Sequence, residues 1–204
     1  METRIAKIIS CLLHPLLMPT YGFSLVFFTD NYFSTFTGPQ NLKFLILGIT
    51  FLFTFILPAT NALILLKMGR IRSLEMENSQ ERIIPYSSTA LYYFALFYLF
   101  YNADFPDIFK IVILGAAISI LLSLIINFRW KISAHMIGIG GTAGAMLGII
   151  YRSHFDFQIA LIIVLLLSGL VGYARLKLMA HSPAQVYVGF ALGFILELGL
   201  MLFY

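Results

Sequence analysis

The side chains of this 204-residue chain that could do chemistry gather in three short polar stretches between long apolar runs. The last stretch, residues 174–185, reads Ala-Arg-Leu-Lys-Leu-Met-Ala-His-Ser-Pro-Ala-Gln and presents Arg175, Lys177, His181 and Gln185. The middle one, Arg-Trp-Lys-Ile-Ser-Ala-His, offers Arg129, Lys131, Ser133 and His135. The first, Glu-Arg-Ile-Ile-Pro-Tyr, offers Arg82 and Pro85. Two histidines among several cations at one membrane edge match what metal-free phosphoryl transfer needs. Cations hold the non-bridging oxygens, one imidazole attacks phosphorus, and a second protonates the departing oxygen. Basic side chains are costly within a bilayer, about 2.5–3.5 kcal/mol each at its centre, so these need water or an anion. With Pro183 in the first turn of the final helix, His181 stands at a helix N-terminus, where free N–H groups favour an anion. Phosphate is the expected one.

The elements that position these stretches are membrane helices. Hydrophobic residues make up 60% of the chain and charged ones 11%, with mean hydropathy +0.93; a soluble domain carries about 25% charged residues. An all-α polytopic helical bundle in a single membrane domain, residues 1–204, is predicted. No polar stretch is long enough to bury a core of its own. The net charge of +4 suits anionic headgroups. Nucleic acid is not expected as a partner, since the cations lie in short loops between apolar runs. The single cysteine, Cys11, excludes an internal disulfide and a cysteine metal cluster. Two histidines in separate loops without a carboxylate set do not make a metal site, and no cofactor is expected. The N-terminus resembles a signal n-region, but Pro15 and Pro19 interrupt the run and no small-residue cleavage site follows, so a retained first span is expected.

Six to seven spans are expected, at about 8–28, 43–66, 86–102, 109–128, 134–151, 156–173 and 183–203. With seven, the N-terminus and the three polar stretches share one side. That side holds Arg4, Lys7, Lys67, Arg70, Arg72, Arg82, Arg129, Lys131, Arg175 and Lys177. The other holds Lys43, Lys110 and Arg152 with Asp30, Asp104, Asp107 and Asp156. The positive-inside rule puts the richer side in the cytoplasm, and a bacterial inner membrane is the expected location.

Within the spans, Gly140, Gly144 and Gly148 recur every fourth residue, as do Gly189 and Gly193. Close helix packing is the expected role, since no strand–loop–helix setting for a nucleotide exists. Glu197 is expected to point into the bundle. His14, Pro15, Pro19, Pro58 and Asn61 mark irregular helices, and no chemistry is assigned to them. The Tyr and Phe residues of 92–101 are expected at the lipid and its interface.

The three stretches together resemble the type-2 phosphatidic acid phosphatase superfamily of membrane lipid phosphatases, which includes the vanadium haloperoxidases. The family's third motif reads Ser-Arg, five residues, His, three residues, Asp. Ala174-Arg175, five residues, His181, three residues, Gln185 reproduces that spacing, and Val186, Gly189 and Gly193 resemble the helix that follows. Ile132-Ser133-Ala134-His135 stands where the family has Pro-Ser-Gly-His. The first motif, Lys, six residues, Arg-Pro, is eroded: two residues separate Arg82 from Pro85, and Glu75 stands where the lysine would be. The resemblance covers about 67–193.

It implies His181 as the nucleophile forming a phosphohistidine, His135 as general acid for the leaving lipid oxygen, and Arg175 and Arg82 as a phosphate clamp. Ser133 would add a donor. Lys131 is our own candidate for the missing lysine. Gln185 replaces a carboxylate that would hold the nucleophilic imidazole; Glu77 and Glu81 are the nearest acids in loop terms. The implied activity is metal-independent hydrolysis of a lipid phosphate or lipid diphosphate, phosphatidate or a polyprenyl diphosphate among them. Two other readings stay open. One is a non-catalytic module that binds a lipid phosphate. The other is a transporter, resting on Glu197, Asn61 and the broken first span.

Overall fold

The computed structural model describes residues 2–29, 39–76, 78–103, 105–153 and 157–203. Among them are seven helical stretches long and apolar enough to cross a membrane, and no strand. The chain is an integral membrane protein, an all-α bundle.

Proline chemistry explains why the first two spans are broken. Helix α1 (Glu2–Leu12) ends before a 3₁₀ turn at Pro15–Leu17, and α2 (Met18–Phe28) resumes with Pro19 in its first turn. Pro15 has no N–H to continue the ladder of α1, and proline disfavours helical backbone in the residue before it. His14 is accordingly extended, at φ −69° and ψ 136°, and caps the new turn. The second span joins α3 (Gln40–Phe51) to α4 (Leu57–Lys67) through a π turn at Leu52–Ile56. Pro58 cannot bond back to Thr54, and the helix widens just before it. The remaining spans are α5 (Ile83–Asn102), entered through a 3₁₀ turn at Ser79–Arg82, then α6 (Asp107–Asn127), α7 (Ala134–Ser153), α8 (Gln158–Lys177) and α9 (Pro183–Phe203).

Two boundaries differ from the sequence expectation. The first span is helical from Glu2, not from about residue 8. The third begins at Ser79, which draws Arg82 out of the loop into the top of the span. Pro85 does not stop it, because the first turn of a helix has free N–H groups anyway.

The tightest packing joins α7 and α9. A Cβ on Gly144 would land on the Phe194 carbonyl oxygen, and one on Gly193 on the Ile137 carbonyl oxygen. A Cβ on Gly140 would meet Phe190, and one on Gly148 would meet Met201. The glycine faces therefore bring two backbones together, as their four-residue spacing predicts. An aromatic core of Phe23, Phe27, Phe100, Phe105 and Phe109 packs α2 against the end of α5 and the start of α6, with Phe23 and Phe109 edge-on at 4.8 Å. The 92–101 segment is split between core and surface: Tyr93 and Phe100 are buried, Tyr98 and Tyr101 exposed. Helix periodicity, not residue type, decides which aromatic meets lipid.

Candidate functional site

The glycine contact that pairs α7 with α9 also joins the second and third polar stretches. A Cβ on Gly189 would sit 2.9 Å from the Ser133 carbonyl oxygen, and the Ser133 N–H donates to the Gln185 carbonyl at 3.4 Å. His135 and His181 thus start their helices side by side. Arg175 comes from the last turn of α8 and Arg82 from the start of α5.

These four side chains line one cavity of about 940 Å³. Its polar mouth also carries Lys7, Ser10, His14, Glu75 and Tyr86. Its depth is apolar, with Phe23, Phe109, Val112, Ile149 and Phe157, and holds Glu197. Lys131, Ser133 and Gln185 do not line it. Lys131 still bears on the site, since its charge acts on His181 together with those of Arg175 and Arg82. Ser133 is fully buried, and its hydroxyl has no hydrogen-bond partner among the described residues.

Gln185 has a structural role beside the one its spacing from His181 suggested. The Ser182 N–H donates to Gln185 Oε1 at 3.1 Å, and the Gln185 N–H donates to Ser182 Oγ at 3.4 Å. This is a reciprocal capping box, Ser-x-x-Gln, at the start of α9. The same Oε1 lies 3.1 Å from His181 Nδ1. A backbone N–H can only donate, so the atom it meets is the amide oxygen, and His181 Nδ1 must carry the proton. The Nε2 lone pair of His181 is left available. Burial pushes the His181 pKa down to about 4, the positive field of Arg175, Lys131 and Arg82 pushes the same way, and the bond to Gln185 opposes them. The ring is neutral at neutral pH and therefore nucleophilic.

His135 is held from the other side. Its Nε2 lies 3.0 Å from the carbonyl oxygen of Ser10 in α1, so Nε2 carries the proton and Nδ1 the lone pair. Arg175 Nη1 donates to the Ser10 hydroxyl at 3.2 Å, and its Nε is buried without a partner among the described residues. Arg82 is buried, with Nε donating to the Met76 carbonyl at 2.8 Å. Leu74, Glu75 and Met76, from the segment that leads into Arg82, line the cavity. Met76 adopts a left-handed φ of 44° there, and Asn127 Nδ2 anchors the segment by donating to the Ser79 carbonyl at 2.8 Å.

Of the acids named as substitutes for the missing carboxylate, Glu81 faces Arg72 at 3.7 Å, and Glu77 lies outside the described residues. The acid at the mouth is Glu75. Glu197 is buried as expected, its Oε2 without a hydrogen-bond partner among the described residues, and a Cβ on Gly115 would meet its carboxyl at 2.6 Å. Among the described residues, no three His, Cys, Asp or Glu side chains form a metal-holding group.

One residue of the site was missed. His14 lines the same cavity, with its ring 5.3 Å from that of His135 and nearly perpendicular to it, at 77°. A histidine inside an apolar span is an expensive residue, and that was the signal available. No protein-family model, curated protein or solved structure matches the chain.

Proposed function

We propose that this protein hydrolyses a phosphate monoester or diphosphate carried on a lipid, without metal, through a phosphohistidine on His181, as a divergent member of the type-2 phosphatidic acid phosphatase superfamily. The observation that carries this reading is the fixed, neutral His181 imidazole, whose Nε2 lone pair is free beside three cations. Arg175 and Arg82 line the mouth where phosphate oxygens would bind, and the apolar depth of the cavity suits lipid chains.

In the first step, His181 Nε2 bonds to phosphorus as the bond from phosphorus to the lipid oxygen breaks. That oxygen takes a proton from His135 Nδ1, whose lone pair has first accepted it from the bound phosphate monoanion, while the Nε2–H stays on the Ser10 carbonyl. Water then attacks the phosphohistidine, gives its proton to His135 Nδ1, and inorganic phosphate leaves with His181 Nε2 restored. Gln185 fixes the His181 ring but supplies no negative charge to its cation. In a serine-protease triad, replacing the carboxylate by an amide costs about 10⁴ in rate, mainly through the wrong tautomer. Here the tautomer is the right one.

The test is phosphate release from a panel of lipid phosphates by detergent-purified protein, beside His181→Ala. Release that His181→Ala abolishes, with an acid-labile phosphoenzyme in the wild type, is expected. Equal release by both proteins overturns the proposal. The neutral acceptor at Gln185 favours one second reading, a module that binds the lipid phosphate without turning it over. It predicts binding with no phosphoenzyme.

We place the site on the cytoplasmic face of a bacterial inner membrane from the charge asymmetry of the loops. In a Cys11→Ser background, a cysteine introduced by Ser73→Cys should be shielded from a membrane-impermeant thiol reagent in intact cells. Labelling of intact cells reverses the assignment.

A further inference from the structure

The break in the first span puts His14 into the anion site in a single chemical form. The Leu16 N–H donates to His14 Nδ1 at 3.4 Å, so the neutral ring carries its proton on Nε2. No hydrogen-bond partner of that Nε2–H is found among the described residues, and His14 lines the cavity beside His135, Ser10 and Arg175. The three imidazoles are thus distinct. His181 and His135 present lone pairs, while His14 presents a donor.

We propose that the Nε2–H of His14 is a phosphate-binding donor, so that the first span completes the site assembled by α5, α7, α8 and α9. The inference rests on the reading of this cavity as a phosphate site. A neutral imidazole cannot serve as the proton source, because losing Nε2–H would leave an imidazolate. It can hold an oxygen whose charge grows in the transition state, and its orientation is set before the ligand arrives. Ser10 contributes indirectly: its hydroxyl accepts from Arg175 and its carbonyl from His135, so the end of α1 aligns two further site residues.

The experiment uses the full chain in detergent with inorganic orthophosphate as the probe. Binding is titrated for wild type, His14→Phe, which keeps an aromatic ring without a donor, and His14→Gln, whose amide can donate. The ¹⁵N spectrum of histidine-labelled wild type is followed in the same titration. A hydrogen bond to a charged group predicts that His14→Phe weakens orthophosphate binding by roughly ten-fold or more. His14→Gln should recover part of the loss, and the His14 Nε2–H resonance of the wild type should move on saturation. Wild-type affinity in His14→Phe, or a resonance that stays still while phosphate saturates, overturns the proposal. The wild-type spectrum decides the matter should a variant fold poorly. Binding without lipid-phosphate hydrolysis would overturn the enzymatic reading and leave His14 in place. Hydrolysis with phosphate binding unaffected in His14→Phe would do the reverse, and absence of both binding and hydrolysis would overturn both.

Discussion

Gln185 Oε1 stands 3.1 Å from His181 Nδ1 and, at the same distance, accepts the N–H of Ser182. One oxygen caps α9 and sets the tautomer of the ring beside it. Because the backbone N–H fixes which way the amide points, the ring has no freedom to exchange its two nitrogens.

Replacing Gln185 separates these two roles. Gln185→Glu keeps the reach and the cap and places a negative charge beside Nδ1, so the His181 pKa should rise above about 4. Gln185→Leu loses the cap and should cost about 1 kcal/mol of stability. An NMR titration of the imidazole and a thermal melt check the two. A pKa unmoved in Gln185→Glu would show that the contact is not made in solution.

Acid should destabilise the fold through His181. Its folded pKa is about 4 against an ordinary 6.5, so between those values the unfolded chain binds more protons. This contribution to stability is complete above about pH 6.5 and is lost as pH falls towards 4. The melting temperature of His181→Gln should depend less on pH across that window than that of the wild type. Identical slopes would contradict the assignment.

The glycine seam should be intolerant where backbone meets backbone and tolerant elsewhere. Gly193→Ala and Gly144→Ala press a methyl into carbonyl oxygens of the facing helix, and overpacking of this kind costs about 1–3 kcal/mol. Gly199→Ala, on the same helix as Gly193, meets nothing within 4 Å and should be neutral or stabilising. Melts of the three variants in one detergent make the comparison.

Arg82 should govern the loop as well as the anion. Arg82→Lys retains the charge but lacks the Nε–H that reaches the Met76 carbonyl, so the 68–82 segment should become more readily cut by protease. Saturation with orthophosphate should slow the cutting of the wild type. Cleavage at the wild-type rate in Arg82→Lys would show that the bond does not hold the segment.

Glu197 separates hydrolysis from transport. Its carboxyl is buried, with no hydrogen-bond partner of Oε2 among the described residues, and it lies about 24 Å along α9 from the His181 end at 1.5 Å per residue; Glu197→Gln keeps the shape without the acid. Phosphate release should stay within about two-fold of wild type, since no bond to a site residue is lost. A proton flux in proteoliposomes that vanishes with Glu197→Gln would favour the transporter reading.

What the sequence by itself determined is set by composition and period. Long apolar runs cannot stay in water, so the all-α membrane bundle was legible from hydropathy alone. The four-residue recurrence of glycines announced close packing on α7 and on α9, and the structure paired the two faces with each other. The spacing of Arg175, His181 and Gln185 needs only one helix start, and a Ser-Pro-Ala-Gln sequence makes that start locally. The tertiary structure decided the rest, because those facts depend on contacts between residues far apart in the chain. His14 is 121 positions from His135, and only the break at Pro15 and the packing of α1 against α8 bring their rings together. Glu75, rather than Glu81, lines the cavity, next to the Met76 whose carbonyl accepts from Arg82. The state of each imidazole was hidden for the same reason. A ring nitrogen becomes donor or acceptor according to the backbone group it meets, and for His135 that group is the Ser10 carbonyl, 125 residues away.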